Sequence, residues 1–541
     1  MSYIKKLILL FITLLCISGC SQITVKNPDI LTCAVVTRED SQTGKNTYNL
    51  LNESTVATLK SDIIDASNLQ DLSKYDILYI DKSVIEVDNF DLYSVQRYVA
   101  KGGNVFLDNE LYDIFTYDFI GAENFVELTE SPVNMEYNDN ISELNKGINK
   151  IRTLINDFSS LYQSDDSLNV QNFGVGVIPS TAKSIASKDG YGIYTINQYG
   201  SGYVFFTNPL FSNKLLYDYF AEFVSLNKYG YAIEHVFGNF GKKSAAWDIP
   251  VEKSEDIQND SFNDIIKTFK QLGQVPTFVI PENSYTQVSS ETENDYFFYD
   301  RGQLPFENTN TEEYTLTAPS YINNNLILPH INADDTTYSS IYAKYGFPVV
   351  FYENLDTLNS DKIKKLDTFL NDYNYNTVLL EQLSKSTAAA YNTFVNAKWE
   401  DDSLKLSADI KSEDIPLYDS DYQSSVGVKI ILADNISVDN FNIDANVYYK
   451  YDNEIYLSLD KNVQISKLIE NENINITSVN LPAKISINKD TVAVKFLESG
   501  MMAVQVQGLV KTTSDGWDFT QQNNVTTFRK YGNAETLKIV K

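Results

Sequence analysis

Between residues 31 and about 230, short apolar runs alternate with segments whose apolar residues recur every three or four positions. The runs "LTCAVVT" (31–37), "YDILYID" (75–81) and "NVFLD" (104–108) have the length and continuity of buried strands. Between them, "FDLYSVQRYVAKGG" (90–103) places Leu92, Val95, Tyr98 and Val99 on one stripe and ends in glycine, which predicts an amphipathic helix. Further on, "YGIYTINQYGSGYVFFTNPLF" (191–211) reads as a β-hairpin about Gly200 and Gly202, closed by a helix over "NKLLYDYFAEFVSL" (213–226). Strands alternating with helices predict a parallel sheet with helices on its faces.

The same texture continues from 231 to about 400. Strands are predicted at "SAAWDIP" (244–250), "VPTFVI" (275–280), "NLILPHI" (325–331), "FPVVFYE" (347–353) and "YNTVLLE" (375–381). Helices are predicted at "NDSFNDIIKTFKQLG" (259–273), "TTYSSIYAKYG" (336–346), "SDKIKKLDTFLNDY" (360–373) and "SKSTAAAYNTFVNAKW" (384–399). Asp260 or Ser261 is placed to cap the first of these helices and Gly273 to end it. In a barrel-like or open parallel sheet, functional groups gather at the carboxyl ends of the strands, and Asp248 stands at such an end. From 401 onward the helical period vanishes. Short alternating runs such as "VGVKIILA", "NVYYKY", "EIYLSLD" and "MMAVQVQG" are separated by turn residues, which predicts an antiparallel β-sandwich.

The N-terminus breaks this pattern. In "MSYIKKLILLFITLLCISGC" (1–20), Lys5 and Lys6 precede an apolar run of about twelve residues, too short to span a bilayer and suited to a signal-peptide core. The tail "ISGC" resembles the bacterial lipobox, which implies a lipid, palmitate among its acyl chains, on Cys20. The chain is therefore expected to comprise a lipoprotein signal peptide (1–19), a tether (20–30), an α/β domain (31–230), a second α/β domain (231–400) and a β-sandwich (401–541). Its expected place is the extracytoplasmic face of the cell membrane, held to the bilayer by the Cys20 lipid. With Cys16 in the leader and Cys20 acylated, Cys33 is the remaining cysteine, so no internal disulfide is expected. Its strand setting predicts a buried core residue rather than a nucleophile.

Composition narrows the partners. The 541 residues carry a formal charge of −29, and loss of Lys5 and Lys6 makes it −31. Such an outer surface argues against nucleic acid or anionic lipid and tolerates a cationic polymer, such as a partly deacetylated amino-sugar chain. The chain has only two histidines, His235 and His330. The paired glycines of 200–202 sit between strands with no helix N-terminus directly after them, so they are not read as a phosphate loop. No Gly-x-Ser-x-Gly elbow occurs, and "NADDTT" does not complete a calcium loop. Among 72 acids no carboxylate pair of a glycosidase can be nominated from spacing.

These motifs carry two resemblances. Through "YDILYID", "VQRYVAKGGNVFLDN" and "YGSGYVFFTNP", residues 31–230 resemble the class I glutamine-amidotransferase-like fold, in the non-catalytic form attached to many carbohydrate enzymes. Amidotransfer needs a thiolate in a nucleophile turn and a base. Cys33 lies on the first strand and no histidine precedes His235, so that activity is not expected. Through "SAAWDIP", the helix beyond it and the strand "VPTFVI", residues 240–400 resemble the polysaccharide deacetylases, most nearly the deacetylase region of the Pel exopolysaccharide protein, with a (β/α) barrel implied.

In that family an aspartate after the first strand, beside a second acid, joins a His-x-x-x-His pair to hold zinc, which activates water against the acetyl carbonyl. Asp248 matches the metal aspartate. Its neighbours Trp247, Ile249 and Pro250 are not acids, and Glu252 is the displaced candidate for the second carboxylate. Where the histidines belong, "LPFENTNTEEYTLT" (304–317) offers Glu307, Asn310, Thr311 and Thr315, and hydroxyls are poor zinc ligands. His330, near Asp334 and Asp335, is a further candidate for a mixed site with Asp248. Trp247, Tyr299, Tyr314 and Trp399 are candidates to stack on sugar faces.

The leading expectation is a lipoprotein pseudoenzyme, with no cofactor, that binds or organises an exopolysaccharide or its export proteins. Two alternatives remain. One is an active deacetylase or other carbohydrate hydrolase with a divergent site, the only reading that would call for zinc. The other is a purely structural envelope protein.

Overall fold

The computed structural model of the chain describes residues 25, 27–129, 135–138, 141, 145–162, 174–208, 214–238, 243–251, 253–257, 260–280, 298–300, 306–307, 320–322, 325–328, 330–332, 340, 343–411, 426–438, 441–445, 447–451, 453–459, 462–467, 474–479, 481, 483–488, 491–496 and 499–541. The protein is mixed α/β, with one large sheet and several smaller β-rich sheets. The leader, Cys20 and most of the tether lie outside the described residues. No described helix is long and apolar enough to cross a membrane.

The large sheet runs in the order Leu59–Asp65, Leu31–Thr37, Ile77–Ile80, Asn104–Asp108, Gly202–Thr207, Tyr191–Tyr199, Val175–Pro179, Ala122–Glu127. Its first five strands are parallel and the rest antiparallel. Successive side chains point to opposite faces, and the sequence uses both. Cys33, Val35, Ile77, Tyr79, Phe106 and Phe205 pack on one side with Phe220 and Phe223 of the helix Lys214–Tyr229. Ala34, Val36, Leu78, Val105 and Val204 pack on the other with Val95 and Val99 of the helix Leu92–Ala100. Continuous apolar runs are what a sheet covered on both faces requires.

The hairpin glycines have a packing role. A Cβ on Gly202 would lie 1.8 Å from the Gly103 carbonyl oxygen, and one on Gly200, whose φ is +63°, would lie 2.5 Å from that of Ala100. Their absence lets the turn press on the end of the Leu92–Ala100 helix, where the Ser201 amide donates to the Ala100 carbonyl at 3.1 Å.

A second sheet places Ser244–Pro250 at its centre. The order is Phe298–Asp300, Phe278–Ile280, Ser244–Pro250, Val349–Tyr352, His330–Asn332, all parallel, with Asn376–Thr377 beside the start of the central strand. The helices Asp260–Leu272 and Ser360–Asp372 follow the sequence expectation, and Gly273 follows the first with φ +73°. Three expectations need correction. "NLILPHI" divides into Asn325–Ile327 and His330–Asn332, which belong to different sheets. "YNTVLLE" contributes only Asn376–Thr377 as strand, because a helix begins at Leu380. That helix ends at Tyr391, and Thr393–Glu400 is a strand, not helix. There Thr393, Val395 and Ala397 alternate inward, and the period of two overrides the alanine-rich start. The helix expected at 336–346 lies mostly outside the described residues.

Among the described residues, one three-stranded sheet, of Phe306–Glu307, Asn325–Ile327 and Ser320–Ile322, and four four-stranded sheets make up the rest. Tyr231–Val236 pairs antiparallel with Val426–Leu432, far along the chain, in a sheet completed by Glu454–Leu459 and Tyr448–Tyr451. The sheet of Thr393–Glu400, Ser403–Ile410, Val463–Lys467 and Phe441–Asp444 shares a core with it, through Ile233, Val428 and Ile430 on one side and Val395, Leu404, Leu406 and Ile443 on the other. The last two sheets, which contain Gly500–Gln507 and Thr491–Phe496, share a second core including Val504, Phe528, Val494 and Ile539.

Candidate functional site

Asp248 occupies the expected strand end, but its surroundings are those of a core. Trp247 is fully buried on one face of the strand. Its ring meets Phe269 and Phe351 at centroid distances of 5.2 and 5.4 Å, and its Nε1 donates to Gln274 Oε1 at 2.9 Å. Alternation turns Asp248 to the other face, with Ala246 and Val350, which cluster with Leu328, Val378, Leu380 and Leu383. Asp248 is also fully buried, and its carbonyl accepts from the Glu353 amide at 3.3 Å. Glu353 follows directly on Tyr352, the last residue of the neighbouring strand. It pairs with Lys362 at 2.8 Å and accepts from the Thr357 hydroxyl.

Among the described residues, the candidate partners of Asp248 are spread over several strands. His235 is on the strand paired with Val426–Leu432, in a different sheet. In register, Asn332 stands level with Tyr352 and Asp248, while His330 stands level with Val350 and Ala246. Glu307 lies on a short strand of a separate three-stranded sheet, and Tyr299 on the strand beside Phe278–Ile280. Glu252, Asn310, Thr311, Tyr314, Thr315, Asp334 and Asp335 lie outside the described residues. Among the described residues no group of three or more histidines, cysteines, aspartates and glutamates is placed to hold a metal ion. Among the described residues Asp248 therefore lacks the three or four histidine, cysteine or acidic ligands that zinc takes.

The aromatic candidates also need correction. Trp247 presents no face to a sugar, because it fills the space between the sheet and two helices. Trp399 is half-buried, packed near Tyr231 and edge-on to Phe441 at 5.7 Å. Cys33 is fully buried, and burial, reinforced by Asp62, Asp218 and Asp76, pushes its thiol far above the usual range. It is no nucleophile.

A different place has the properties of a site. A cavity of about 540 Å³ opens between the helices Lys146–Tyr162 and Lys214–Tyr229, the sheet holding Tyr231–Val236, and the segment Lys344–Gly346. Its wall combines Tyr219, Tyr345, Tyr451 and Tyr456 with Lys146, Lys150, Lys243, Lys344 and Lys429, and with Glu234, His235 and Glu454. Lys150 Nζ pairs with Glu222 Oε2 at 2.6 Å and Glu234 Oε1 at 3.1 Å, and Lys429 pairs with Glu234 and, at 3.9 Å, with Glu454.

Glu222 and Glu234 are both buried and hydrogen-bonded to each other. Burial raises the Glu222 carboxyl well above its usual range despite Lys150. Burial would raise Glu234 too, but Lys150, Lys429 and the hydrogen bond from Glu222 outweigh it and hold Glu234 well below. Burial alone would lower Lys150, yet Glu222 and Glu234 raise it. The two carboxyls are thus driven in opposite directions, Glu222 up and Glu234 down.

Sequence reasoning did not find this cluster, because its members lie between positions 150 and 454 and come from two helices and three strands. One local signal existed. Glu222 sits in "YFAEFV" and Glu234 in "YAIEHV", acids enclosed by apolar residues, and a buried acid needs a partner.

No family model matches the chain, and no curated protein matches it. Among solved structures it is similar to a β-galactosidase from Bacillus circulans sp. alkalophilus, with 13% identity over 38% of this chain and 33% of that one and a TM-score of 0.23. It is also similar to an exo-β-1,4-mannosidase from Opitutaceae bacterium strain TAV5, with 11% identity over 33% of this chain and 31% of that one and a TM-score of 0.21. A cytoplasmic protein from Salmonella typhimurium LT2 matches with 11% identity over 36% of this chain and 96% of its own, at a TM-score of 0.23. The matched part of this chain spans about a third of the length of each of the two glycosidases.

Proposed function

We propose that the protein is a lipid-anchored, extracytoplasmic binding protein for a carbohydrate polymer, in which an amidotransferase-like unit, a deacetylase-like barrel segment without its metal site and a β-sandwich segment serve recognition rather than turnover. The observation that carries the reading is the cleft of about 540 Å³, where tyrosine rings stand beside lysine and glutamate side chains. Aromatic faces stack on the C–H faces of sugars while charged and hydroxyl groups fix their orientation. The burial of Asp248 among aliphatic residues supports the non-catalytic half of the proposal. The lipid on Cys20 would keep the cleft at the membrane surface, where a polymer leaves its export machinery.

A hydrolase is the second reading, favoured by the opposite shifts of Glu222 and Glu234, since acid and base roles follow from carboxyls driven apart. Their geometry tells against it. Glycosidase carboxyls stand roughly 5–9.5 Å apart with the sugar between them, whereas these two share a hydrogen bond and Glu222 does not reach the cavity wall.

The test uses residues 21–541 with a panel of soluble polysaccharides, together with metal analysis. Retention of a polymer recovered unchanged, from protein without bound zinc, is expected. Stoichiometric zinc that disappears in Asp248→Ala would overturn the non-catalytic reading.

A further inference from the structure

The cleft differs in charge from the rest of the molecule. The chain has 72 acidic residues against 43 lysines and arginines, yet five lysines and only two glutamates line the cavity. Three of the lysines have carboxylate partners: Lys150 and Lys429 in the buried cluster, and Lys344 with Asp157 at 2.7 Å. Lys146 differs. It is half-buried on the first turn of its helix, and its ammonium donates to the Leu432 carbonyl at 3.1 Å. A carbonyl supplies a dipole and no net charge. Among the described residues, no carboxylate lies within ion-pair distance of Lys146.

Tyr451, also on the cavity wall, ends the strand Tyr448–Tyr451 and is 46% exposed. It is the most open ring of the cavity wall, since Tyr219 is buried and the hydroxyls of Tyr345 and Tyr456 are engaged by Asp157 and Glu454. A concave wall with a cation and an exposed ring matches a ligand with both an anionic group and a ring face. On a chain whose acids outnumber its lysines and arginines, a wall with more lysines than glutamates is a favourable place for an anion to enter.

On the footing of the carbohydrate reading above, we propose that the cleft takes an acidic saccharide, a polymer bearing uronic acids, with a uronate carboxylate paired to Lys146 and a pyranose ring laid on Tyr451. This departs from the cationic amino-sugar polymer that overall charge favoured, because the local wall and the overall surface differ in sign.

The probes are oligogalacturonate, a neutral cello-oligosaccharide and a chitosan oligomer, titrated calorimetrically into residues 21–541 at low and high salt. Oligogalacturonate is expected to bind best, to weaken at least about tenfold in Lys146→Met and in Tyr451→Ala, and to weaken with salt as charge pairing requires. Unchanged thermal midpoints in both variants would separate lost contacts from lost folding. If a variant does unfold, Lys146→Arg, which keeps the charge, serves in its place and is expected to retain binding. Binding of chitosan or the neutral oligomer in preference would overturn the acidic-sugar proposal and leave the carbohydrate reading standing. Binding by none of the three would overturn both. Oligogalacturonate binding indifferent to Lys146→Met would overturn the assignment to this cleft.

Discussion

Lys150 Nζ bridges Glu222 at 2.6 Å and Glu234 at 3.1 Å, and the two carboxyls, both buried, are driven in opposite directions, Glu222 up and Glu234 down. The pair ties the helix Lys214–Tyr229 to the strand Tyr231–Val236, and Lys429 extends it to the strand Val426–Leu432. The two carboxyls should therefore respond differently to the same substitution. Glu222→Gln keeps shape and a donor and should change stability by less than about 1 kcal/mol. Glu234→Gln leaves Lys150 and Lys429 without their shared carboxylate and should cost about 3–5 kcal/mol. Calorimetric unfolding of the two variants at neutral pH checks this, and equal costs would contradict the opposite settings of the two carboxyls.

Asp108 gives a pH-dependent prediction. It closes the strand Asn104–Asp108, and burial raises its carboxyl to about 6, against an opposing hydrogen bond from the Glu110 amide. A folded value above the usual 3.8 means that the stabilisation is full below 3.8 and is lost as pH rises through about 6. Asparagine can still accept from the Glu110 amide but cannot ionise. Asp108→Asn should therefore gain up to about 3 kcal/mol relative to the wild type at pH 8, with no gain at pH 3.5. The comparison needs melting curves of both proteins at the two pH values.

Trp247 separates packing from ligand binding. Trp247→Ala removes its contacts with Phe269 and Phe351 and leaves Gln274 Oε1 without its donor, and should cost about 3–5 kcal/mol. Trp247→Phe should fold and leave saccharide affinity within about twofold. Loss of binding in a folded Trp247→Phe protein would place the sugar at the carboxyl end of the strand Ser244–Pro250 instead of the cleft.

Cys33 should be silent to thiol reagents in the native state. Residues 21–541 retain this one cysteine, fully buried and held far from its thiolate form. An aromatic disulfide reagent should titrate almost no thiol until denaturant is added, then about one per chain. The lipid anchor is checked on the full chain, where Cys20→Ser should move the protein from the detergent phase to the aqueous phase.

The strands of the large sheet could be read from the sequence because a two-faced parallel sheet writes itself as continuous apolar runs, as in "LTCAVVT" and "NVFLD". Ser244–Pro250 was readable for the same reason. Local periodicity cannot show which distant strand a segment joins. Tyr231–Val236 pairs with Val426–Leu432 across about 190 intervening residues, and the cleft exists only because of that pairing. The motif search pointed to Asp248 and Trp247, whose neighbours in sequence resemble a family, while burial reverses what those side chains can do. Lys146, Glu222, Glu234 and Lys429 carried no motif at all. Only the misfit of an acid inside "YFAEFV" hinted at them.

The central claim is that the protein holds a polysaccharide without cleaving or deacetylating it. The most direct measurement incubates residues 21–541 with a saccharide that it retains, then determines both the complex and the fate of the sugar by mass spectrometry. The account predicts a bound oligomer of unchanged length and acetylation, released intact by salt. Shortened chains or free acetate that accumulate in proportion to protein, and vanish in Asp248→Ala or Glu234→Gln, would contradict it.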